Sequence, residues 1–178
     1  MIRQEAENLV KDNFPTIVDE ELSQKYIDYL VNHINDVNYY AGKVGLSFPN
    51  HDLSKLTMFF PAYRYTVKSK HKRTKEEQDQ LDYVTLMHVI NACHHPEYWC
   101  DHNILKGFTR SNFTPNGILD CTEMPEECLN EMCADWCATG KRKGNSATEW
   151  FNKVNNVRWK FNNEQQMYIR LMIDKMEN

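Results

Sequence analysis

Apolar residues recur every three or four positions along most of this chain, and no stretch shows the clean alternation of a half-buried strand. The pattern predicts an all-α fold. Residues 1–14 read as a short helix with Ala6, Leu9 and Val10 on its apolar side. Asp19 is placed to cap a long helix from Glu20 to about Ala41, ended by Gly42, whose inward stripe is Leu22, Tyr26, Leu30, His33, Val37 and Tyr40. A turn over 45–50 leads to a brief helix that runs through Phe59 and stops near Pro61. Thr74-Lys75-Glu76-Glu77 is a capping box opening the next helix, with Leu81, Val84, His88, Asn91 and His95 on one face. Pro96 makes the double histidine before it an end or a kink.

Residues 106–124 lose the helical period and read as a long loop of the lid or specificity type, with a small hairpin at Asn116-Gly117. Pro125 opens a helix predicted to close at Gly140, packed through Leu129, Met132, Cys133 and Trp136, with Glu131 and Asp135 on an adjoining face. Ser146-Ala147-Thr148-Glu149 is another capping box. The last helix starts near Asn162, with Gln165 at the box position, and runs to about Lys175. Met167, Tyr168, Leu171 and Met172 are its apolar residues. The expectation is one helical domain over 1–178, with a core at about 20–157 and a docking helix at about 162–176.

Composition narrows this picture. The apolar fraction is 41% and the mean hydropathy −0.71, and no apolar run approaches the roughly 18 residues of a membrane span. The first residues carry no apolar core of the signal-peptide kind, so a cytoplasmic protein is expected. A net charge of −4 is too mild for a general nucleic-acid binder. Cys93, Cys100, Cys121, Cys128, Cys133 and Cys137 include no C-x-x-C pair, and Cys93, Cys133 and Cys137 fall in helix-like stretches. They read as reduced thiols. Lys68, Lys70, Lys72, Arg73 and Lys75 crowd one loop, either a solvated run or a rim for an anionic substrate, and Lys141-Arg142-Lys143 form a second basic loop.

The candidate chemistry lies in the histidines. His51 and Asp52 are neighbours in Asn50-His51-Asp52-Leu53-Ser54-Lys55, and adjacent side chains reach one ion only where the backbone turns. Pro49-Asn50 supplies a turn. His33 points inward from the long helix, and His88, His94, His95 and Asp135 follow on later segments, whereas His71 and His102 lie in polar surroundings and are expected to face solvent. Imidazole and carboxylate ligands without thiolate suit manganese, iron, cobalt, magnesium or zinc at a catalytic centre.

The order of one histidine, an adjacent His-Asp and a distant Asp, all on helices, resembles the HD-domain metal-dependent phosphohydrolases. The segment His51-Asp52-Leu53-Ser54-Lys55 is similar to the His-Asp-x-x-Lys run that many of them carry. The resemblance implies an HD-like helical bundle. By position, it makes His33, His51, Asp52 and Asp135 the ligands of one or two divalent ions. It makes Lys55 a neutraliser of substrate phosphate, and His88, His94 or His95 a leaving-group acid or further ligand. A closer likeness rests on His88-x-x-Asn91-x-x-His94-His95-x-x-Tyr98-Trp99 with Glu131-Met132-x-x-Asp135-Trp136. It spans roughly residues 25–155 and is to a family of small phage and bacterial proteins known mainly as a domain of unknown function. No Gly-Tyr-Pro segment follows His94-His95, so the cyclic-dinucleotide phosphodiesterase pattern is not matched.

The function this implies is hydrolysis of a nucleotide or another small phosphate ester. Two alternatives share the residues: an HD-type di-iron oxygenase, and a non-catalytic nucleotide-binding or phage counter-defence protein acting in a host cytoplasm.

Overall fold

The long helix that the periodicity predicts is present and carries the first core. The computed structural model describes residues 1–17 and 20–178. Among them it contains eight α-helices and one sheet of two very short strands, so the fold is mostly α. Asp19, the predicted cap, lies outside the described residues. The contacts gather into two compact units, Met1–Asn35 with Pro49–His88, and Asp36–Phe48 with Val89–Asn178.

The first unit is built around α2 (Glu21–Gly42), whose Tyr26, Ile27, Leu30, Val31 and Ile34 are buried. Against them pack Ala6 and Val10 of α1 (Arg3–Asn13), Leu56 of α3 (Ser54–Thr57), and Phe60 and Tyr63 of α4 (Phe60–Tyr63). Leu81 of α5 (Lys75–Val89) completes the cluster. Each large apolar side chain taken from water here contributes about 1.5–3 kcal/mol. Pro61 does not stop a helix as predicted. It occupies the first turn of α4, where its missing N–H costs nothing.

The basic stretch after α4 forms two 3₁₀ turns, Arg64–Val67 and Lys70–Lys72, and much of its charge is committed locally. Arg73 donates to the carbonyls of Tyr65, Thr66 and Lys68 at 2.9, 3.1 and 2.8 Å. Lys68 pairs with Glu77 and Lys75 with Asp79, each at 2.6 Å.

The capping box at the start of α5 is made as predicted, Glu77 N–H to Thr74 Oγ1 at 3.2 Å and Thr74 N–H to Glu77 Oε2 at 3.0 Å. Its end is not. The helix stops at Val89, and Asn91 through His95 is a turn, so His88, Asn91 and His95 share no helix face, and Asn91 is exposed. Cys93 lies in this turn as well. The reason is Pro96, which holds His95 extended at φ −95°, ψ 130°. The turn is then fixed by His95 N–H on Ala92 O at 3.0 Å and by Trp99 Nε1–H on Cys93 O at 2.8 Å.

The second unit packs α6 (Glu126–Lys143), α7 (Ala147–Val154) and α8 (Asn163–Glu177) around Leu129, Met132, Phe151, Phe161, Ile169 and Ile173. Both predicted capping boxes, Ser146 with Glu149 and Asn162 with Gln165, are formed. Gly140 does not end α6. That helix runs on to Gly144, whose φ of +71° makes the left-handed stop. Gly140 serves a close approach instead, since a Cβ there would lie 2.6 Å from Asn145 O. Lys141, Arg142 and Lys143 therefore form the helix's last turn, where cations suit its negative end, and not a loop.

The buried face of α8 is Ile169, Met172, Ile173 and Met176. Met167 and Leu171, predicted to dock, are exposed. The stretch 106–124 ends in β1 (Leu119–Asp120), which pairs in parallel with β2 (Trp159–Lys160), Leu119 opposite Trp159. No hairpin forms at Asn116-Gly117, because Asn116 Nδ2 donates to the carbonyls of Ile104 and Lys106 and β1 takes its partner from β2.

Candidate metal centre

In the first unit, α2 delivers His33 inward, and the turn before α3 delivers His51 and Asp52. The adjacency problem posed by the sequence is solved at Asp52, whose φ of 58° lies in the left-handed region. Aspartate is among the few residues that tolerate this, and the reversal lets consecutive side chains converge. His33, His51 and Asp52 are 6%, 2% and 4% exposed.

Their donor atoms make a nearly equilateral triangle. His33 Nε2 and His51 Nε2 are 3.3 Å apart, His33 Nε2 is 3.4 Å from Asp52 Oδ2, and His51 Nε2 is 3.5 Å from the same oxygen. Donors about 2.1 Å from one ion at the tetrahedral angle stand about 3.4 Å apart. Two imidazoles facing each other through the same ring nitrogen, both beside one carboxylate oxygen, are poorly served by hydrogen bonds alone, since the nitrogen pair shares at most one proton. The three residues are thus buried and positioned to hold a metal ion.

Around the triangle the carboxylate is further engaged. Lys55, one turn on, donates through Nζ to Asp52 Oδ2 at 2.6 Å and lies over the Tyr63 ring at 5.3 Å. His88, one residue before the end of α5, faces Asp52 Oδ1 through Nε2 at 3.0 Å and Ser54 Oγ through Nδ1 at 3.1 Å, with Tyr63 edge-on to its ring. Burial works to raise the Asp52 pKa. The Lys55 ammonium, the His51 imidazole and the hydrogen bonds with His33 and His88 outweigh it and hold the carboxyl well below its usual range. The anion is the resting form, as a ligand must be.

The other predicted site residues belong to the second unit. His94 is buried with Nδ1 3.2 Å from Glu131 Oε1, and its ring lies against that of the half-buried His95, centroids 4.3 Å apart. Asp135 is half-buried and accepts from Thr139 Oγ1 at 3.3 Å. His71 and His102 are exposed, as expected.

Two groups escaped the sequence reading. Ser54 stands inside the His-Asp-Leu-Ser-Lys run, and its contact with His88 has only that proximity as a signal. Glu97 is 1% exposed and accepts from Trp159 Nε1–H at 3.1 Å. Burial pushes its pKa up to about 7, against the pull of its own backbone N–H, Trp159, Arg158 and His94. In the sequence it is one acid before an aromatic pair.

The chain is thus a mostly α-helical protein with a buried His-Asp cluster fit for a metal ion. It belongs to a family of unknown function (DUF5662), which matches residues 22–175. No curated protein and no solved structure matches it. Among the described residues, no helix is long and apolar enough to cross a membrane.

Proposed function

We propose that this chain is a metal-dependent phosphohydrolase of the HD type, acting on a nucleotide or another small phosphate ester. The observation that carries the reading is the triangle of His33, His51 and Asp52, buried and with edges of 3.3–3.5 Å. A divalent ion held there supplies a Lewis acid and makes water acidic enough to react near neutral pH.

The chain's own residues support the same chemistry. Asp52 is kept anionic by its neighbours, so no proton has to leave before it can ligate. His88 fixes the far carboxylate oxygen and is itself oriented by Ser54. Lys55 places a fixed positive charge at the same carboxylate, and its part in neutralising a phosphate oxygen rests on the resemblance to HD phosphohydrolases. The parts of Asp135, His94 and His95 in this reading rest on the resemblance to HD phosphohydrolases.

Elemental analysis of purified wild type beside Asp52→Asn tests the site. Asparagine also tolerates the left-handed backbone, so the variant should keep its helical circular dichroism while losing the metal. Full metal occupancy in the variant refutes the assignment. Turnover of a nucleotide panel with manganese then tests the reaction. A second reading is favoured by the donor set itself, since two imidazoles and one carboxylate also make the facial set of non-haem iron oxygenases. Stoichiometric iron with an optical band that responds to air, and no phosphate release, selects it.

A further inference from the structure

The second unit holds two thiols in unusual proximity. Cys128 Sγ lies 2.7 Å from Cys93 Sγ, across 35 positions of sequence. That is inside ordinary contact for unbonded sulfurs and within an ångström of the roughly 2.05 Å of a covalent S–S bond. The remaining cysteines are engaged differently. Cys100 donates to Glu97 O, Cys121 is buried and donates to the Pro96 and Leu119 carbonyls, and Cys133 and Cys137 are buried a turn apart in α6.

We infer that Cys93 and Cys128 form an oxidation site, at which a low-molecular-weight disulfide converts the two thiols into an intramolecular disulfide. The bond joins the turn after α5 to the first turn of α6. Cys93 is half-buried and reachable, whereas Cys128 is buried. Burial and the adjoining Cys93 sulfur push the Cys128 thiol up to about 12, so the first attack belongs to Cys93.

The Cys93 thiolate attacks one sulfur of glutathione disulfide, whose S–S bond breaks as the first glutathione leaves. Cys128 then gives its proton to solvent and attacks Cys93 Sγ, and the second glutathione leaves as the new bond forms. Two protein thiols are oxidised and one glutathione disulfide is reduced to two glutathiones. The consequence is local. His94 follows Cys93 directly and Glu131 lies one turn beyond Cys128, so the cross-link braces the two segments that hold the 3.2 Å His94–Glu131 pair. None of this depends on the phosphohydrolase reading.

The test is incubation of the folded full chain with glutathione disulfide, followed by intact-mass analysis, peptide mapping and thermal melting. The expected result is a loss of about 2 Da, release of two glutathiones and a Cys93–Cys128 linked peptide. The melting temperature should rise by roughly 5–15 °C, because the bond closes a long loop. Cys128→Ser should stop at a stable glutathione adduct on Cys93. A persistent adduct in the wild type, a cross-link between other cysteines, unreacted thiols, or a cross-link that lowers the melting temperature would each overturn the inference.

Discussion

Replacing Glu97 by glutamine should remove a pH dependence from the stability of this protein. Glu97 is buried, and its carboxyl titrates at about 7 in the folded chain against 4.5 for the ordinary side chain. Between those values the folded state holds a proton that the unfolded state has released. Stability from this group is therefore fully present below pH 4.5 and is lost as pH rises to about 7. The span from 4.5 to about 7, at about 1.4 kcal/mol per pH unit, sets the full loss at about 3.5 kcal/mol. Glutamine carries no titrating proton, and its carbonyl oxygen can still accept from Trp159 Nε1–H. Urea unfolding of wild type and Glu97→Gln at pH 5 and pH 8, followed by circular dichroism, isolates the effect. Any constant offset from repacking the amide cancels, and the variant should gain about 2.5 kcal/mol on the wild type over that range, since part of the loss has already occurred at pH 5. Parallel stabilities at both pH values would refute the assignment of a proton to Glu97.

Other outcomes follow from the geometry. Gly140→Ala should destabilise by about 1–3 kcal/mol despite the helix propensity of alanine, because the new Cβ meets Asn145 O at 2.6 Å; a rise in the urea midpoint would contradict this. Phe60→Ala empties a position that is fully buried among Tyr26, Tyr63 and Leu56, and should cost about 3–5 kcal/mol in the same assay. Ser146→Ala breaks the capping box of α7 and should cost about 1 kcal/mol, recovered largely by Ser146→Thr. If the His33–His51–Asp52 triangle holds an ion, dialysis against a chelator should lower the melting temperature of the wild type and leave Asp52→Asn unmoved.

The parts of the fold that were legible in the sequence are those decided by neighbours along the chain. Thr74 with Glu77, Ser146 with Glu149 and Asn162 with Gln165 each satisfy orphan N–H groups within one helical turn, so their spacing alone identifies them. His33 could be placed inward because its companions at helical spacing, Leu30 and Val37, are apolar. The His51-Asp52 adjacency demanded a reversal, and the positive φ at Asp52 provides it.

What escaped was decided by distant chain. Gly140 looks like a stop until Asn145 is seen returning across it. Met167 and Leu171 are as apolar as Ile169 and Met172, and only the position of α6 and α7 selects which pair is buried. The run from His88 to His95 keeps a helical period that Pro96 overrides. At the site, Glu97 reads as an ordinary acid because its partner, Trp159, is 62 positions away.

The division of the chain carries a consequence for its biogenesis. All three donors of the triangle, together with Ser54, Lys55 and His88, are encoded before Val89, within the first unit. A ribosome therefore finishes these six residues while half of the polypeptide is still untranslated. An ion able to bind the triangle in the nascent chain would meet those three donors before α6 or α8 had been made.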